Sequence, residues 1–296
     1  YSFSFYFKAI TSDESKKLVL VFSGFSVITA LTGIIRFNLS MVHRASSIVS
    51  GYATYSTYML AAIPLLFLLY TQLTEKQKKY VWPAAAGLVF SGLILAMSRA
   101  DLAAGVIVLL ASVFYIRPKF VSILIFVLIT AAVSIISFHN NSREVTNRID
   151  NISTTSDRNV LWGNAFRKAG DHPFLGFGPK TFPVIFDERD KLGDKEVGGW
   201  HNEYISFYIE SGISALLPFL ALAVYTLIFA AGKIFKRRNE EYSRAVFLLF
   251  LCIAGMYMSA FFSGVFSDPL LSVLFSFLMG WYFSNRPKSV PALKTA

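Results

Sequence analysis

Arg99, His201 and Glu210 are charged or titratable residues that stand at the edges of, or just inside, long apolar runs, and Arg158 stands in the long polar stretch between such runs. Two guanidiniums can hold a diphosphate through paired N–H donors. They can also stabilise the charge that grows on a diphosphate as it leaves. An imidazole near its reference pKa exchanges a proton at neutral pH. His201 could therefore act as general base on an acceptor hydroxyl, or it could contact the phosphate directly. Neither role needs a metal or a cofactor. Convergence of these groups near the outer membrane interface would suit group transfer from a phospholipid-like donor.

The spacing around these residues adds detail. His201 and Asn202 open "HNEYISFYIESG", after which the chain runs apolar for about twenty residues. Glu203 and Glu210 lie seven apart and share one face of a helix. Glu210 falls nine residues past His201, about 13 Å further along a helix, a depth at which a carboxylate faces a bundle interior or a cavity. Arg99 follows Ser98 in "LILAMSRADLAAGVIVLL". In "TTSDRNVLWGNAFRKAGDHPFLGFGPKTF", Thr155, Ser156 and Asp157 are capping residues. Leu161, Trp162, Ala165, Phe166 and Ala169 recur at helical spacing, Gly170 can end the helix, and Pro173 bars its continuation. The pattern predicts a short amphipathic helix at the outer membrane interface, with Trp162 as anchor and Arg158 in its first turn. Gly176 and Gly178 flank Phe177 and permit a tight turn or a close backbone approach. They do not have the spacing of a nucleotide-phosphate loop. Asp171 and His172 lack a third ligand at convincing spacing, so no metal site is expected. Each residue also has an ordinary reading: Arg99 as a snorkelling helix end, Arg158 as a solvated loop residue, His201 as a helix-start residue, Glu210 as a buried structural partner. Arg36, His43 and Arg44 line a substrate path or mark a helix end.

The elements that must position these groups are membrane helices. The 296 residues are 54% hydrophobic, only 16% are charged, and mean hydropathy is +0.53; a soluble chain carries about 25% charged residues. Spans are expected at about 18–37, 52–71, 80–98, 101–117, 120–138, 203–231, 243–262 and 269–284, eight in all. Residues 139–200 hold no span and are too long for an ordinary connection. The fold class is an all-α polytopic membrane bundle in three parts: N-terminal membrane helices (1–138), a long extracytoplasmic loop (139–200), and C-terminal membrane helices with a basic cytoplasmic tail (201–296). With the N-terminus in the cytoplasm, the cytoplasmic pieces hold 16 Lys+Arg against 5 Asp+Glu, and the long loop holds nine of each. This asymmetry follows the positive-inside rule. It explains a pI near 9.6 without nucleic acid as a partner. The one cysteine, Cys252, lies in an apolar run, so no disulfide framework exists. The chain starts at Tyr1, and "YSFSFYFKA" reads like the tail of an earlier span, so further spans are expected upstream.

The motifs "SRADLAAG" (98–105), "RNVLWGNAFRKAGDHPFLGFGPKTF" (158–182) and "HNEYISFYIESG" (201–212), with "GYATYSTYMLAAIPLLFLLY" (51–70), resemble the O-antigen ligase and polymerase superfamily of bacterial envelope proteins. The likeness covers most of residues 45–230. It implies an inverting, metal-independent glycan transferase of the bacterial inner membrane with its active face outside the cytoplasm. The donor would be a polyprenyl-diphosphate-linked glycan. The acceptor would be lipid A-core in a ligase, another lipid-linked repeat in a polymerase, or a pilin in a protein transferase. By motif match, Arg99, Arg158 and His201 are the expected catalytic residues. Substrate binding is expected from Arg99 and Arg158 with Trp162, Gly176, Gly178, Asn202 and Glu210. Two readings outside enzymology stay open: a transporter of lipid-linked sugar, which would show inverted repeats with broken helices, and a membrane scaffold.

Overall fold

A computed structural model describes residues 12–48, 50–142, 146, 158–188, 192, 197–234 and 240–284. The expected capping residues Thr155, Ser156 and Asp157 lie outside them. Ten helices are present among the described residues: α1 (Ser12–Asn38), α2 (Tyr52–Tyr70), α3 (Glu75–Leu95), α4 (Arg99–Ile116), α5 (Phe120–Asn140), α6 (Arg158–Lys168), α7 (Phe182–Ile185), α8 (Glu203–Ile234), α9 (Glu240–Ala260) and α10 (Pro269–Ser284). Eight of them coincide with the eight expected spans.

Six of these, namely α1, α2, α4, α5, α8 and α9, are long and apolar enough to cross a membrane. This makes the chain a multi-pass integral membrane protein with an all-α fold. The expected third and eighth spans do not meet the same standard. The first turns of α3 carry Glu75, Lys76, Lys78 and Lys79, so its apolar part starts only at Tyr80. α10 has 16 residues, about 24 Å at 1.5 Å per residue, short of a ~30 Å hydrocarbon core.

Hydrogen bonds fix the direction of each helix. Near the starts of α2 and α4, Ser56 Oγ donates to Asp101 of α4. At their other ends, the Tyr70 hydroxyl of α2 accepts from the Lys119 N–H that precedes α5 (3.2 Å). α2 and α4 therefore run parallel, and α3 must return the full length of the bundle between them. α5 starts beside α3, where Lys119 Nζ meets Glu75 at 2.6 Å. It ends beside α1, where Asn140 Nδ2 donates to Asn38 Oδ1 at 3.0 Å. At the start of α10, Thr54 Oγ1 of α2 donates to Asp268 at 2.6 Å; near its end, the Tyr282 hydroxyl donates to the Thr226 carbonyl of α8 at 2.8 Å. The bundle thus has two ends. The loop end gathers residues 38–48, 50–52, 95–101, 140, 158–188, 197–203 and 260–269; the basic end gathers 70–75, 116–120, 234 and 240.

α2 is the central element and packs against α1, α3, α4, α9 and α10. Every residue from Met59 to Tyr70 is buried, the pattern of a helix that is apolar all round and enclosed by others. Trp82 of α3 seals its basic end: Nε1 donates to the Leu66 carbonyl at 2.8 Å, and the ring meets Phe67 and Tyr70 edge-on. Thr74 and Gln77 close a capping box at the start of α3.

A second, smaller apolar core lies at the loop end. It is built from Leu161 and Ala165 of α6, Phe182 of α7, Phe186, Leu192, Trp200 and Ile209. Of the stripe expected to rest on lipid, Leu161 and Ala165 enter this core, Trp162 and Ala169 pack against it, and Phe166 is exposed. Trp162 Nε1 donates to the Trp200 carbonyl at 3.1 Å, and its ring lies near Phe262. The inner part of the stripe is covered because the 182–188 segment, Leu192 and Trp200 pack over α6. Ion pairs Arg167–Glu188 (2.5 Å) and Lys168–Asp187 (2.8 Å) hold that segment on the outside.

Candidate functional site

Arg158 opens α6, and its guanidinium reaches across to the connection that follows α9. Nη2 donates to the Phe262 carbonyl at 2.8 Å, and Cζ sits 5.3 Å from the Phe262 ring centroid. The group is half-buried. Desolvation lowers its pKa; Tyr52 and Asp101 oppose this by attraction, and the like charge of Arg99 adds to it. These couplings bring α2, α4 and α6 to one place. Arg99 is the first residue of α4 and is exposed.

His201 lies next to this group. Its backbone is in the left-handed region, with φ +50°, which costs an L-residue about 1–2 kcal/mol. The next residue explains why the conformation is held. Asn202 is the N-cap of α8: its Oδ1 accepts the Ile205 N–H at 3.1 Å and its carbonyl accepts the Ser206 N–H at 2.9 Å. Trp200, on the other side, is 1% exposed and wedged against Phe182. His201 is thus pinned between a buried indole and a helix cap, with its side chain left open. Crowding by protein atoms lowers its pKa first, and the nearby charge of Arg158 lowers it further. Its ring is therefore a neutral acceptor at pH 7.

Asn202 and Glu203 also fix the start of α8. Glu203 is 1% exposed and accepts the backbone N–H groups of Phe266 (2.9 Å) and Ser267 (2.8 Å). This ties the first turn of α8 to the loop between α9 and α10.

Gly176, Gly178 and Glu210 meet in a different feature. α8 is broken at Gly212, which has φ +67° and ψ −167°. The 173–178 loop fits its backbone into the break. Phe177 N–H donates to the Ile209 carbonyl and Gly178 N–H to the Glu210 carbonyl, both at 2.8 Å; in return, Ile213 N–H donates to the Pro173 carbonyl (2.8 Å) and Ser214 N–H to the Phe174 carbonyl (3.3 Å). Groups released by the break are satisfied by the loop; leaving each buried and unpaired would cost about 1–3 kcal/mol. The approach is so close that a Cβ on Gly176 would overlap Glu210 and Ser211 backbone, and a Cβ on Gly212 would overlap Phe174. Gly176 (φ +68°) and Gly178 (φ +104°) also occupy backbone regions that favour glycine. The Glu210 carboxylate accepts the Lys180 N–H at 2.8 Å. These three residues hold the loop on α8.

Asp101 was not singled out from sequence. It is 2% exposed and accepts hydroxyls from three elements: Ser56 of α2, Ser98 (2.8 Å) and Ser259 of α9 (2.5 Å). It anchors the start of α4, next to Arg99, and is felt by Arg158. Arg36 donates to the Ser46 and Ser47 carbonyls, and Arg44 lies 3.9 Å over the Tyr52 ring, so both brace the 40–52 segment. Among the described residues, no group of three or more His, Cys, Asp or Glu is arranged to hold a metal ion. The arrangement can therefore offer two cations to an anion and one neutral imidazole beside it.

The O-antigen ligase family (Wzy_C) matches residues 84–220, a little under half of the chain. No curated protein matches it. The matched stretch contains Arg99, Asp101, Arg158, His201 and the loop docked on α8. The chain is thus a polytopic membrane protein related to the O-antigen ligase superfamily.

Proposed function

We propose that the protein transfers a glycan from a polyprenyl-diphosphate carrier to lipid A-core, at the extracytoplasmic face of a bacterial inner membrane, by an inverting and metal-independent reaction. One observation carries this reading: half-buried Arg158 is electrostatically coupled both to Arg99 and to a neutral His201. The family match adds the class of reaction. In the proposed step, an acceptor hydroxyl attacks the anomeric carbon from the side opposite the diphosphate. The carbon–oxygen bond to the diphosphate breaks, and its electron pair leaves with the phosphate oxygen. Arg99 and Arg158 bind that diphosphate and stabilise its growing charge. His201, as a neutral base, takes the proton from the hydroxyl.

The test is transfer by the purified full chain in detergent with EDTA present, supplied with a polyprenyl-diphosphate glycan and lipid A-core. His201→Ala should lower turnover by about 10²-fold or more, and Arg158→Ala should weaken both binding and turnover, with membrane insertion unchanged. Wild-type-like transfer by both variants would overturn the mechanism. Elongation of a second lipid-linked repeat in place of lipid A-core would redirect the reading to a polymerase.

A further inference from the structure

We infer that Phe174 and Leu175, at the tip of the loop docked on α8, contact the membrane lipid of the loop-end leaflet, so that the loop is an interfacial membrane anchor. The inference does not depend on the proposed reaction.

The hydrogen bonds set the level of the loop. The Pro173 and Phe174 carbonyls accept the N–H groups of Ile213 and Ser214, so residues 173–175 lie beside the first turn after the break. Residues 213–231 carry no charged side chain. That run is about 19 residues, roughly 28 Å of helix, close to a ~30 Å hydrocarbon core. The break therefore sits at the top of the apolar layer, and the loop tip sits with it. Residues 203–211 stand above, in the headgroup region, with Glu203 and Glu210.

The side chains fit that level. Phe174 is 73% and Leu175 78% exposed, although their backbone is tightly docked. Neither belongs to the loop-end core, which takes Phe177 instead. Ser214 and Leu217, on the adjoining turns of α8, are exposed as well. Loop tip and upper helix thus form one outward face, and below it α8 carries exposed Leu220, Val224 and Leu227, as a lipid-facing helix does. An irregular backbone at this depth is tolerated where its polar groups are satisfied by protein. The four hydrogen bonds across the break supply that condition.

The experiment places a nitroxide at Phe174→Cys or Leu175→Cys in a Cys252→Ser background, with the full chain in phosphatidylethanolamine/phosphatidylglycerol vesicles. Collision rates with oxygen and with a water-soluble nickel chelate are compared, with Leu217→Cys as the lipid control and exposed Asp171→Cys as the water control. Both tip sites should favour oxygen over nickel, as Leu217→Cys does, while Asp171→Cys favours nickel. Nickel preference at the tip would put the loop in water. Low collision with both reagents would mean that protein covers the tip. Either result overturns the inference. Because both side chains are already exposed, the substitutions leave the packing intact, and a normal gel-filtration profile checks this.

Discussion

His201 is held neutral near pH 7 by two causes that act in the same direction, crowding by protein and the charge of Arg158. The sign of the consequence follows. A lowered folded pKa means that the unfolded chain binds a proton before the native site does. Stability is thus fully present above the usual value of about 6.5 and falls as pH drops through the lower folded value. A base must be neutral to act, so the proposed transfer has an acid limb whose midpoint lies below 6.5. Turnover measured across pH 4.5–8 should fall only on the acid side, and Arg158→Gln should move that midpoint upward by removing the repelling charge. Activity that instead rises as pH falls through this range would assign His201 to phosphate binding as a cation. Arg99 and His201 were legible as candidates because a polar or charged group borders an apolar run, and Arg158 because it opens an amphipathic stretch. Asp101 borders the same run as Arg99, in "SRADLAAG", yet its importance was not legible. Its three hydroxyl partners, Ser56, Ser98 and Ser259, lie as much as 158 residues away in the chain, and serines in apolar helices carry no signal of which carboxylate they will find.

At the scale of elements, the long loop is organised by two devices, and sequence patterning exposed only one of them. The period of Leu161, Trp162 and Ala165 marks α6 correctly, but period alone does not say whether the stripe meets lipid or protein. The residues that cover it, Phe182, Phe186, Leu192 and Trp200, follow no regular pattern to announce them. The break in α8 is similarly hidden, because a lone glycine such as Gly212 within an apolar helical run reads as an ordinary helix position. Gly176 and Gly178 were legible as turn glycines, whereas their partner was not. The break and the loop are mutually dependent, and this is measurable. Gly212→Ala and Gly176→Ala each add a Cβ where backbone already stands and force an L-residue to positive φ. Each should cost about 2–5 kcal/mol from overpacking and backbone strain together. In detergent, both variants should unfold several degrees below wild type and become sensitive to protease within residues 170–180. Gly24→Ala, whose Cβ meets open space in α1, should melt at or slightly above the wild-type temperature.

At the scale of the whole molecule, charge and topology can be set against each other. The connections that alternate between the two ends place 50–52, 95–101, 158–188, 197–203 and 260–269 together, and Lys76, Lys78, Lys79, Arg117, Lys119 and Lys233 lie at the opposite end. Within the apolar helices, Arg36, Arg99, Asp101, Glu203 and Glu210 stand at or near the loop end, and Lys16, Lys17, Lys233 and Arg244 stand toward the basic end. Composition alone passes only six helices as spans. The parallel course of α2 and α4 nevertheless requires α3 to return between them, and the bonds from Thr54 to Asp268 and from Tyr282 to Thr226 require α10 to run back along the bundle. If α3 and α10 cross the membrane with the others, the whole loop end lies on one side. The basic end lies wholly on the other side, which the positive-inside rule makes cytoplasmic. A membrane-impermeant maleimide applied to intact cells should then label Lys180→Cys and not Lys76→Cys or Lys233→Cys, with both of the latter labelled once the membrane is opened. Cys252 is fully buried and gives no background. Labelling of Lys76→Cys from outside together with Lys180→Cys would mean that α3 does not cross, and would put Ser56 and Asp101 on opposite sides of the membrane. That outcome is incompatible with the hydrogen bond between them, so this labelling pattern tests the topology and the assembly of the loop end together.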